Sequence, residues 1–119
     1  YSGSYYITIR NRNHIETTTS APVSFVNSTI AYTFDSATKV FGSNLKRMDE
    51  AVDHFVIYGG DSNSDGVADG LDLISTENGA TLFSSGYLTI DLNGDGIVDA
   101  LDLMLVENNA LNFVMIILP

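Results

Sequence analysis

The feature that most constrains the fold of this chain is an internal repeat in its second half, with a period of 91 − 61 = 30 residues. Residues 61–83 align with residues 91–113, and 12 of the 23 aligned positions are identical. The identical pairs are Asp61/Asp91, Asn63/Asn93, Asp65/Asp95, Gly66/Gly96, Asp69/Asp99, Leu71/Leu101, Asp72/Asp102, Leu73/Leu103, Glu77/Glu107, Asn78/Asn108, Ala80/Ala110 and Phe83/Phe113. Self-similarity of this kind is typical of a duplicated supersecondary unit.

Both copies have the ligand spacing of a calcium loop. An EF-hand-type loop places oxygen ligands at positions 1, 3, 5, 7, 9 and 12, with a glycine at position 6 for the sharp turn. The candidate ligands of the first loop are Asp61, Asn63, Asp65, the backbone carbonyl of Val67, Asp69 and Asp72. Those of the second loop are Asp91, Asn93, Asp95, the carbonyl of Ile97, Asp99 and Asp102.

The donor atoms of these loops indicate which metal they suit. All of them are oxygen, which favours Ca²⁺ over zinc or copper. Magnesium is disfavoured because it needs a tighter octahedron and gives up its waters reluctantly. We therefore predict two bound Ca²⁺ ions. The alternative is a pair of polar surface turns that bind nothing, and the recurrence of four carboxylates in register argues against it.

The charge is concentrated in the same half of the chain. Residues 1–58 hold five basic and five acidic residues, whereas residues 59–119 hold ten acidic residues and no basic one. A nucleic-acid-binding protein would present a basic surface instead, so nucleic acid is excluded as a partner. Two Ca²⁺ ions would change the net charge from −10 to −10 + 4 = −6. They would do so in the loops, where the carboxylates repel one another most.

The sequence around each loop predicts a helix after it and an extended segment before it. Residues 55–58 and 87–90 read as extended. The positions with helical spacing are Leu71, Ile74 and Asn78 in the first copy, and Leu101, Met104, Leu105 and Asn108 in the second. Gly79 and Asn109 are suited to end these helices in the left-handed conformation. Each unit is thus a loop with an exiting helix.

Residues 61–113, with D-x-N-x-D-G-x-x-D-x-x-D in both copies, resemble a dockerin-type tandem calcium repeat. The resemblance implies two helices packed antiparallel about a pseudo-twofold axis, with calcium at either end. It also implies a small shared core, formed by Leu71, Ile74, Leu101, Met104 and Leu105. The wider chain is similar to C-terminal regions of secreted proteins of Bacteroidota, which implies an extracellular or cell-surface location.

The sequence departs from dockerins that bind cohesins at the positions those proteins use for recognition. They often carry a hydroxyl pair at loop positions 10 and 11, followed by basic residues along the helix. This chain has Gly70-Leu71 and Ala100-Leu101, and then Glu77-Asn78 and Glu107-Asn108. The resemblance therefore carries calcium binding over to this chain more firmly than it carries cohesin binding.

The first half, residues 1–58, is predicted to be an antiparallel β-sandwich. Alternating or β-branched segments run over 5–12, 16–19, 23–26, 29–34 and 54–58. Residues 44–53 fit either a helix or a hairpin that turns at Asp49-Glu50. Arg10, Arg12 and His14 share one strand face, which either contacts an acidic surface or is solvated.

The C-terminal run Phe113–Leu118 is apolar without alternation, so both of its faces require burial. We predict that residues 113–119 form an apolar β-strand beyond a double calcium unit at 59–112. This strand completes either the sheet of its own chain or that of a neighbouring copy by donor-strand exchange. The fold class is therefore β plus small α.

The sequence contains no catalytic constellation, because it has no cysteine, no nucleophile motif and no phosphate-binding glycine loop. No apolar run approaches the ~20 residues of a membrane span, and no signal-type segment is present. We predict a non-catalytic extracellular calcium-binding structural module that self-associates, as a subunit of a bacterial surface filament or similar assembly. The alternatives are a docking module for a cohesin-like or other partner, and a passive stalk.

Overall fold

The computed structural model describes residues 2–49 and 51–119, which form two compact units. The first unit takes in the described residues of 1–10, 16–57 and 117–119. The second unit consists of residues 11–15 and 58–116. The repeat lies wholly in the second unit, which also contains a short N-terminal segment, residues 11–15, that the sequence does not assign to it.

The described residues contain short strands, two 3₁₀ turns and two α-helices. The strands are β1 (Gly3–Tyr5), β2 (Thr8–Asn11), β3 (His14–Thr18), β4 (Val23–Phe25), β5 (Lys46–Asp49) and β6 (His54–Val56). The helices are α1 (Gly70–Thr81) and α2 (Ala100–Ala110), and the 3₁₀ turns are Ala37–Lys39 and Phe41–Ser43. No helix among the described residues is both long and apolar enough to cross a membrane.

The described strands pair as three two-stranded sheets, β1 with β4, β2 with β3 and β5 with β6. The first and third sheets are antiparallel, and the register of β5 with β6 shifts between Arg47 and Asp49. Residues 44–53 thus contribute to a hairpin, although Glu50 of the predicted turn lies outside the described residues. The β plus small α class is confirmed. The described strands form two-stranded sheets, and the β-sandwich stays a prediction.

The strand predicted over residues 29–34 is wrong. Asn27 and Ser28 have φ of 50° and 61°, and they form a tight turn closed by a bridge between Val26 and Thr29. Beyond it the chain is irregular and is held by side chains, since the Tyr32 hydroxyl donates to the Lys39 carbonyl over 2.6 Å. The β-branched composition of this stretch does not produce a strand, because none of the described strands pairs with it.

The first unit has a small core in which threonine is prominent. Val40 and Leu45 are buried together with Thr17, Thr18 and Thr19. The buried hydroxyls find partners, as the Thr18 Oγ1 atom lies 2.8 Å from that of Thr8. A core of this composition gains less from apolar burial than an aliphatic one, because hydroxyl groups must be satisfied as they are desolvated.

The second unit is built around buried residues that differ from the predicted core. Fully or almost fully buried are Ile15, Ala68, Val98, Val106 and Thr76. Ile15 clusters with Ala68 and Val114, and Tyr58 and Ile116 pack against them.

The core implied by the resemblance is wrong. The residues assigned to it are 44–61% exposed, and they are Leu71, Ile74, Leu101, Met104 and Leu105. The helices instead bury the stripes Asp72, Thr76 and Gly79 in α1, and Asp102, Val106 and Asn109 in α2. The reason is the aspartate at loop position 12, which points back into its loop and so sets the rotation of each helix about its axis.

The helix ends also differ from prediction, because Gly79 and Asn109 lie inside the helices. Gly79 allows a close approach, since a Cβ there would collide with the Cδ1 atom of Ile90. The left-handed residues are Phe83 and Phe113, with φ of 51° and 47°. Gly79 therefore allows Ile90 to pack closely against α1, and it does not terminate the helix.

Candidate metal centre

The side chains at loop positions 3 and 5 fold back onto the loop backbone in both copies. Asp65 N–H donates to Asn63 Oδ1 over 2.9 Å, and Val67 N–H donates to Asp65 Oδ1 over 3.0 Å. The matching bonds in the second loop, donated by Asp95 and Ile97, are 2.8 Å and 2.9 Å long. Asn and Asp form such bonds with the backbone two residues on. Each loop therefore curls around its own side-chain oxygens.

Position 1 closes each loop across the glycine at position 6. Asp61 Oδ2 accepts the N–H of Gly66, and Asp91 Oδ2 accepts that of Gly96, each over 3.1 Å. The two glycines have φ of 92° and 87°, a region that residues with a Cβ rarely adopt. Burial raises the pKa of Asp61, and the charges of neighbouring carboxylates act in the same direction. A bound cation would favour the charged form of this side chain.

A short backbone pairing holds position 7 of each loop. Residues 66–68 pair with residues 114–116 around an antiparallel bridge between Val67 and Met115, through two hydrogen bonds of 2.8 Å. Residues 96–98 pair in the same way with residues 84–86, through two bonds of 2.9 Å. The segment that follows each helix thus holds the loop of the other repeat, which is the reciprocal arrangement expected of a pseudo-twofold pair.

This pairing sets the direction of the position-7 carbonyls. In each bridge the two hydrogen bonds are made by flanking residues, so the N–H and C=O groups of Val67 and Ile97 face away from the pairing segment. The Val67 N–H points to Asp65 Oδ1. In extended backbone the carbonyl of a residue points to the same side as its N–H. Both carbonyls therefore face away from the pairing segment, on the same side as the N–H groups that donate to the position-5 carboxylates.

Positions 9 and 12 build the N-terminus of α1. Asp69 Oδ1 accepts Leu71 N–H over 2.7 Å, and Asp72 Oδ2 accepts Asp69 N–H over 3.0 Å, which is a capping box. Asp72 Oδ1 accepts the N–H groups of Ser62 and Asn63 over 2.8 Å and 3.2 Å, and the Ser62 hydroxyl over 2.9 Å. The fully buried Asp72 side chain therefore ties the start of the loop to the start of the helix.

The second loop repeats this arrangement at α2. Asp102 Oδ1 accepts the N–H groups of Leu92 and Asn93 over 2.8 Å and 3.0 Å, and its Oδ2 accepts that of Asp99 over 3.0 Å. A carboxylate oxygen has two lone pairs. One oxygen of each position-12 carboxylate is thus committed to the loop backbone, whereas both oxygens of Asp61 accept one bond each and keep acceptor capacity.

The residues fit a hard cation by donor type, by spacing and by the direction of the position-7 carbonyls. Across residues 2–49 and 51–119, however, no group of three or more His, Asp or Glu side chains lies close enough together to hold a metal ion. The carboxylates at positions 1, 5, 9 and 12 are directed chiefly at backbone N–H groups of their own loop. The structure therefore organises each predicted ligand set locally without drawing its carboxylates to one point.

One residue close to the second loop was not predicted as part of a site. Arg12 Nη2 donates to the Asp91 carbonyl over 3.1 Å and lies 3.8 Å from Asp91 Oδ2. Arg12 thus contacts an acidic residue of its own chain, whereas Arg10 forms an ion pair of 2.7 Å with Glu16. His14 bridges to Gly59, and burial, with a smaller effect of Arg12, lowers its pKa.

The only sequence signal for the Arg12 contact was the strand face that it was predicted to share with Arg10 and His14. That pattern left open either a contact with an acidic surface or a solvated face, and it could not identify Asp91, which is 91 − 12 = 79 residues away.

Comparison with known proteins adds no relative to these observations. No family model, no curated protein and no solved structure matches the chain.

Proposed function

We propose that this chain is a non-catalytic structural module that binds one Ca²⁺ ion in each loop of its second unit and associates with further copies of itself. The observation that carries the proposal is the reciprocal pairing of the two loops, which places the carbonyls of Val67 and Ile97 on the same side as the N–H groups that donate to the position-5 carboxylates. Two loops built alike, each with the full oxygen set in sequence, support a common ligand for both.

The charge of the second unit supports the need for cations. Residues 11–15 and 58–116 hold ten acidic residues and one arginine, so their formal charge is 1 − 10 = −9. Two Ca²⁺ ions would reduce it to −9 + 4 = −5. Because like charges in a compact state repel one another, the bound ions would stabilise the folded unit. Extracellular modules need only a Kd of about 10⁻⁴–10⁻³ M, which matches calcium outside cells.

Self-association is supported by the exposed apolar residues of the helices. Each repeat presents its own pair, Leu71 and Ile74 on α1 and Leu101 and Met104 on α2, and each helix is followed by an exposed phenylalanine. Contiguous exposed apolar patches on a protein surface often mark an interaction site. A module with two equivalent surfaces can contact two neighbours, which is the minimum for an extended assembly outside the cell.

The C-terminal run does not carry this proposal. Residues 114–116 pair with the first loop, and Ile117 packs on Gly42, where a Cβ would lie 2.7 Å from the isoleucine side chain. The bridge at Met115 is single, so the run 113–119 forms no regular strand. The proposed association therefore uses the helix surfaces and not donor-strand exchange through Phe113–Leu118.

Calcium binding is tested by calorimetry on the whole chain. We expect Ca²⁺ to bind with a stoichiometry of two and to raise Tm, and we expect EGTA to reverse the increase. Asp65→Ala and Asp95→Ala should each remove one site, because each deletes the central carboxylate of one loop. Glu77→Gln is the matched control, since Glu77 is exposed and lies outside the loops.

The same samples decide between the outcomes. A stoichiometry of two that falls to one in Asp65→Ala and in Asp95→Ala supports the proposal, provided that Glu77→Gln still binds two ions. An unchanged Tm and no heat of binding up to millimolar Ca²⁺ would contradict it. Sedimentation velocity of the Ca²⁺-loaded chain tests association, because a monomer at every concentration is inconsistent with a self-assembling module.

A second candidate is a docking module for a cohesin-like partner. It is favoured by the exposure of Leu71 and Leu101, which occupy loop position 11 and remain open for a partner. Stoichiometric capture of a cohesin-like domain by the Ca²⁺-loaded chain, together with a monomer in sedimentation, would replace self-association with this function.

A further inference from the structure

One difference between the two loops is a fixed positive charge beside the second loop. Arg12 lies in the turn between β2 and β3, its side chain is 21% exposed, and it contacts both the carbonyl and the carboxylate of Asp91. Its guanidinium carbon also lies 4.0 Å from the centre of the Tyr87 ring. Asp91 occupies position 1 of the second loop, so the charge of Arg12 is placed beside a predicted calcium ligand.

A second side chain fixes the same point of the loop. Asn13 is buried, and its Nδ2 donates to the Asp91 carbonyl over 3.0 Å, while its own carbonyl accepts Gly60 N–H over 2.8 Å. Asn109 Nδ2 donates to the Gly59 carbonyl over 2.8 Å, which holds the approach to the first loop. The backbone at Asp91 is therefore held by two donors, and one of them carries no charge.

Among the described residues, no basic side chain forms an ion pair with Asp61 at position 1 of the first loop. The described partners of the Asp61 carboxylate are the N–H groups of Asp65 and Gly66. The two repeats thus share a ligand set but differ in local charge. A cation entering the second loop meets the charge of Arg12, whereas one entering the first loop meets carboxylates alone.

We propose that Arg12 is a positioning residue that makes the two calcium sites unequal: it holds the second loop in place, and its charge weakens cation binding there, so that the first loop fills first. This inference rests on the proposed calcium binding. A unit charge about 5–6 Å from a divalent ion changes affinity by about tenfold even with the screening of bulk water. Losing the positioning contact of Arg12 should change the Ca²⁺ affinity less than losing its charge, because Asn13 still holds the Asp91 carbonyl.

The inference is tested with the two loops separated by mutation. Asp65→Ala leaves the second loop, and Asp95→Ala leaves the first. In the Asp65→Ala background, Arg12→Gln should tighten Ca²⁺ binding about tenfold, and Arg12→Lys, which keeps the charge, should leave it within about twofold. In the Asp95→Ala background Arg12→Gln should have no effect. Arg10→Gln is the matched control, because Arg10 pairs with Glu16 in the other unit.

A stability readout separates positioning from charge. In EGTA, Arg12→Gln should lower Tm, because it removes the contact that ties the second loop to the turn, while Arg10→Gln should not. Weaker Ca²⁺ binding by the second loop in Arg12→Gln, or an equal change in both loops, would overturn the inference.

The unmodified chain provides a test that does not depend on any variant folding. In a Ca²⁺ titration followed by amide NMR, the Gly66 signal should respond at lower Ca²⁺ than the Gly96 signal, since each glycine N–H donates to the position-1 carboxylate of its own loop. Equal responses would overturn the inference alone. No response at either glycine would overturn the proposed function and this inference with it.

Discussion

At the scale of single residues, the most unusual feature is a phenylalanine in the left-handed conformation at the end of each helix. Phe83 N–H donates to Ala80 O over 3.1 Å, and the next N–H, that of Ser84, reaches Gly79 O over 2.9 Å. This is the hydrogen-bond pattern of a Schellman motif, in which the left-handed position is usually a glycine. Phe83 and Phe113 are 86% and 71% exposed, so no burial offsets the backbone strain.

Glycine at these positions should therefore stabilise the fold. A left-handed residue with a Cβ costs about 1–2 kcal/mol, of which the greater flexibility of unfolded glycine returns about 0.5–1 kcal/mol. We expect Phe83→Gly and Phe113→Gly each to raise the free energy of unfolding by up to about 1 kcal/mol in urea denaturation. Phe83→Ala keeps the strained Cβ and should gain nothing. A lower stability for both glycine variants would show that the phenylalanine rings contribute to the isolated fold.

At the scale of elements, the rotation of each helix follows from its first turn. Asp72 and Asp102 stand at the third helical position and direct their carboxylates at the loop, so residues four and seven further on face the same way. Those residues are Thr76, Gly79, Val106 and Asn109, which are all buried. The neighbouring stripe of each helix consequently faces outward, although it is the more apolar of the two. It consists of Leu71 and Ile74 in α1, and of Leu101, Met104 and Leu105 in α2.

Two substitutions distinguish these faces. Val106→Ala removes two buried methyl groups and should lower the free energy of unfolding by about 2 kcal/mol. Ile74→Gln changes an exposed side chain and should alter it by less than about 0.5 kcal/mol. Both are measured by urea denaturation in the same buffer with Ca²⁺. If Ile74→Gln proved the more damaging change, the helices would be rotated toward the face that the sequence favours.

At the scale of the whole molecule, two features are shared by both repeats, namely the exposed apolar residues of the helices and the reciprocal loop pairing. Each loop is paired with the segment after the other repeat's helix, so neither repeat is complete alone. The buried stripe of each helix begins at the aspartate of its own loop, and the apolar residues beside it remain exposed and available for contacts with other molecules.

The location of the association surface can be tested directly. We expect Leu71→Gln combined with Leu101→Gln to reduce self-association by at least tenfold, measured as the concentration of half-assembly in sedimentation velocity, because both apolar surfaces are interrupted. Tm should change little, since both leucines are exposed. Met48→Gln is the control, as an exposed apolar residue of the first unit. Unaltered assembly by the double variant would place the surface elsewhere.

Much of the candidate site could be predicted from the sequence, because its determinants are local. The spacing of Asp, Asn and Gly within twelve residues specifies the turns of each loop, and an aspartate three residues before another specifies the capping box. The helices accordingly begin at Gly70 and Ala100, directly after the predicted loop position 9.

The tertiary structure alone decided which residue reaches Asp91 and where the C-terminal run pairs. These outcomes depend on contacts between residues far apart in the chain, such as Arg12 with Asp91 and residues 66–68 with 114–116. Apolar periodicity identifies the more hydrophobic face of a helix, but a buried, hydrogen-bonded carboxylate at its N-terminus costs more to displace than an exposed leucine gains by burial. Local hydrogen bonding determined the loops, and the competition between long-range contacts determined how they are held.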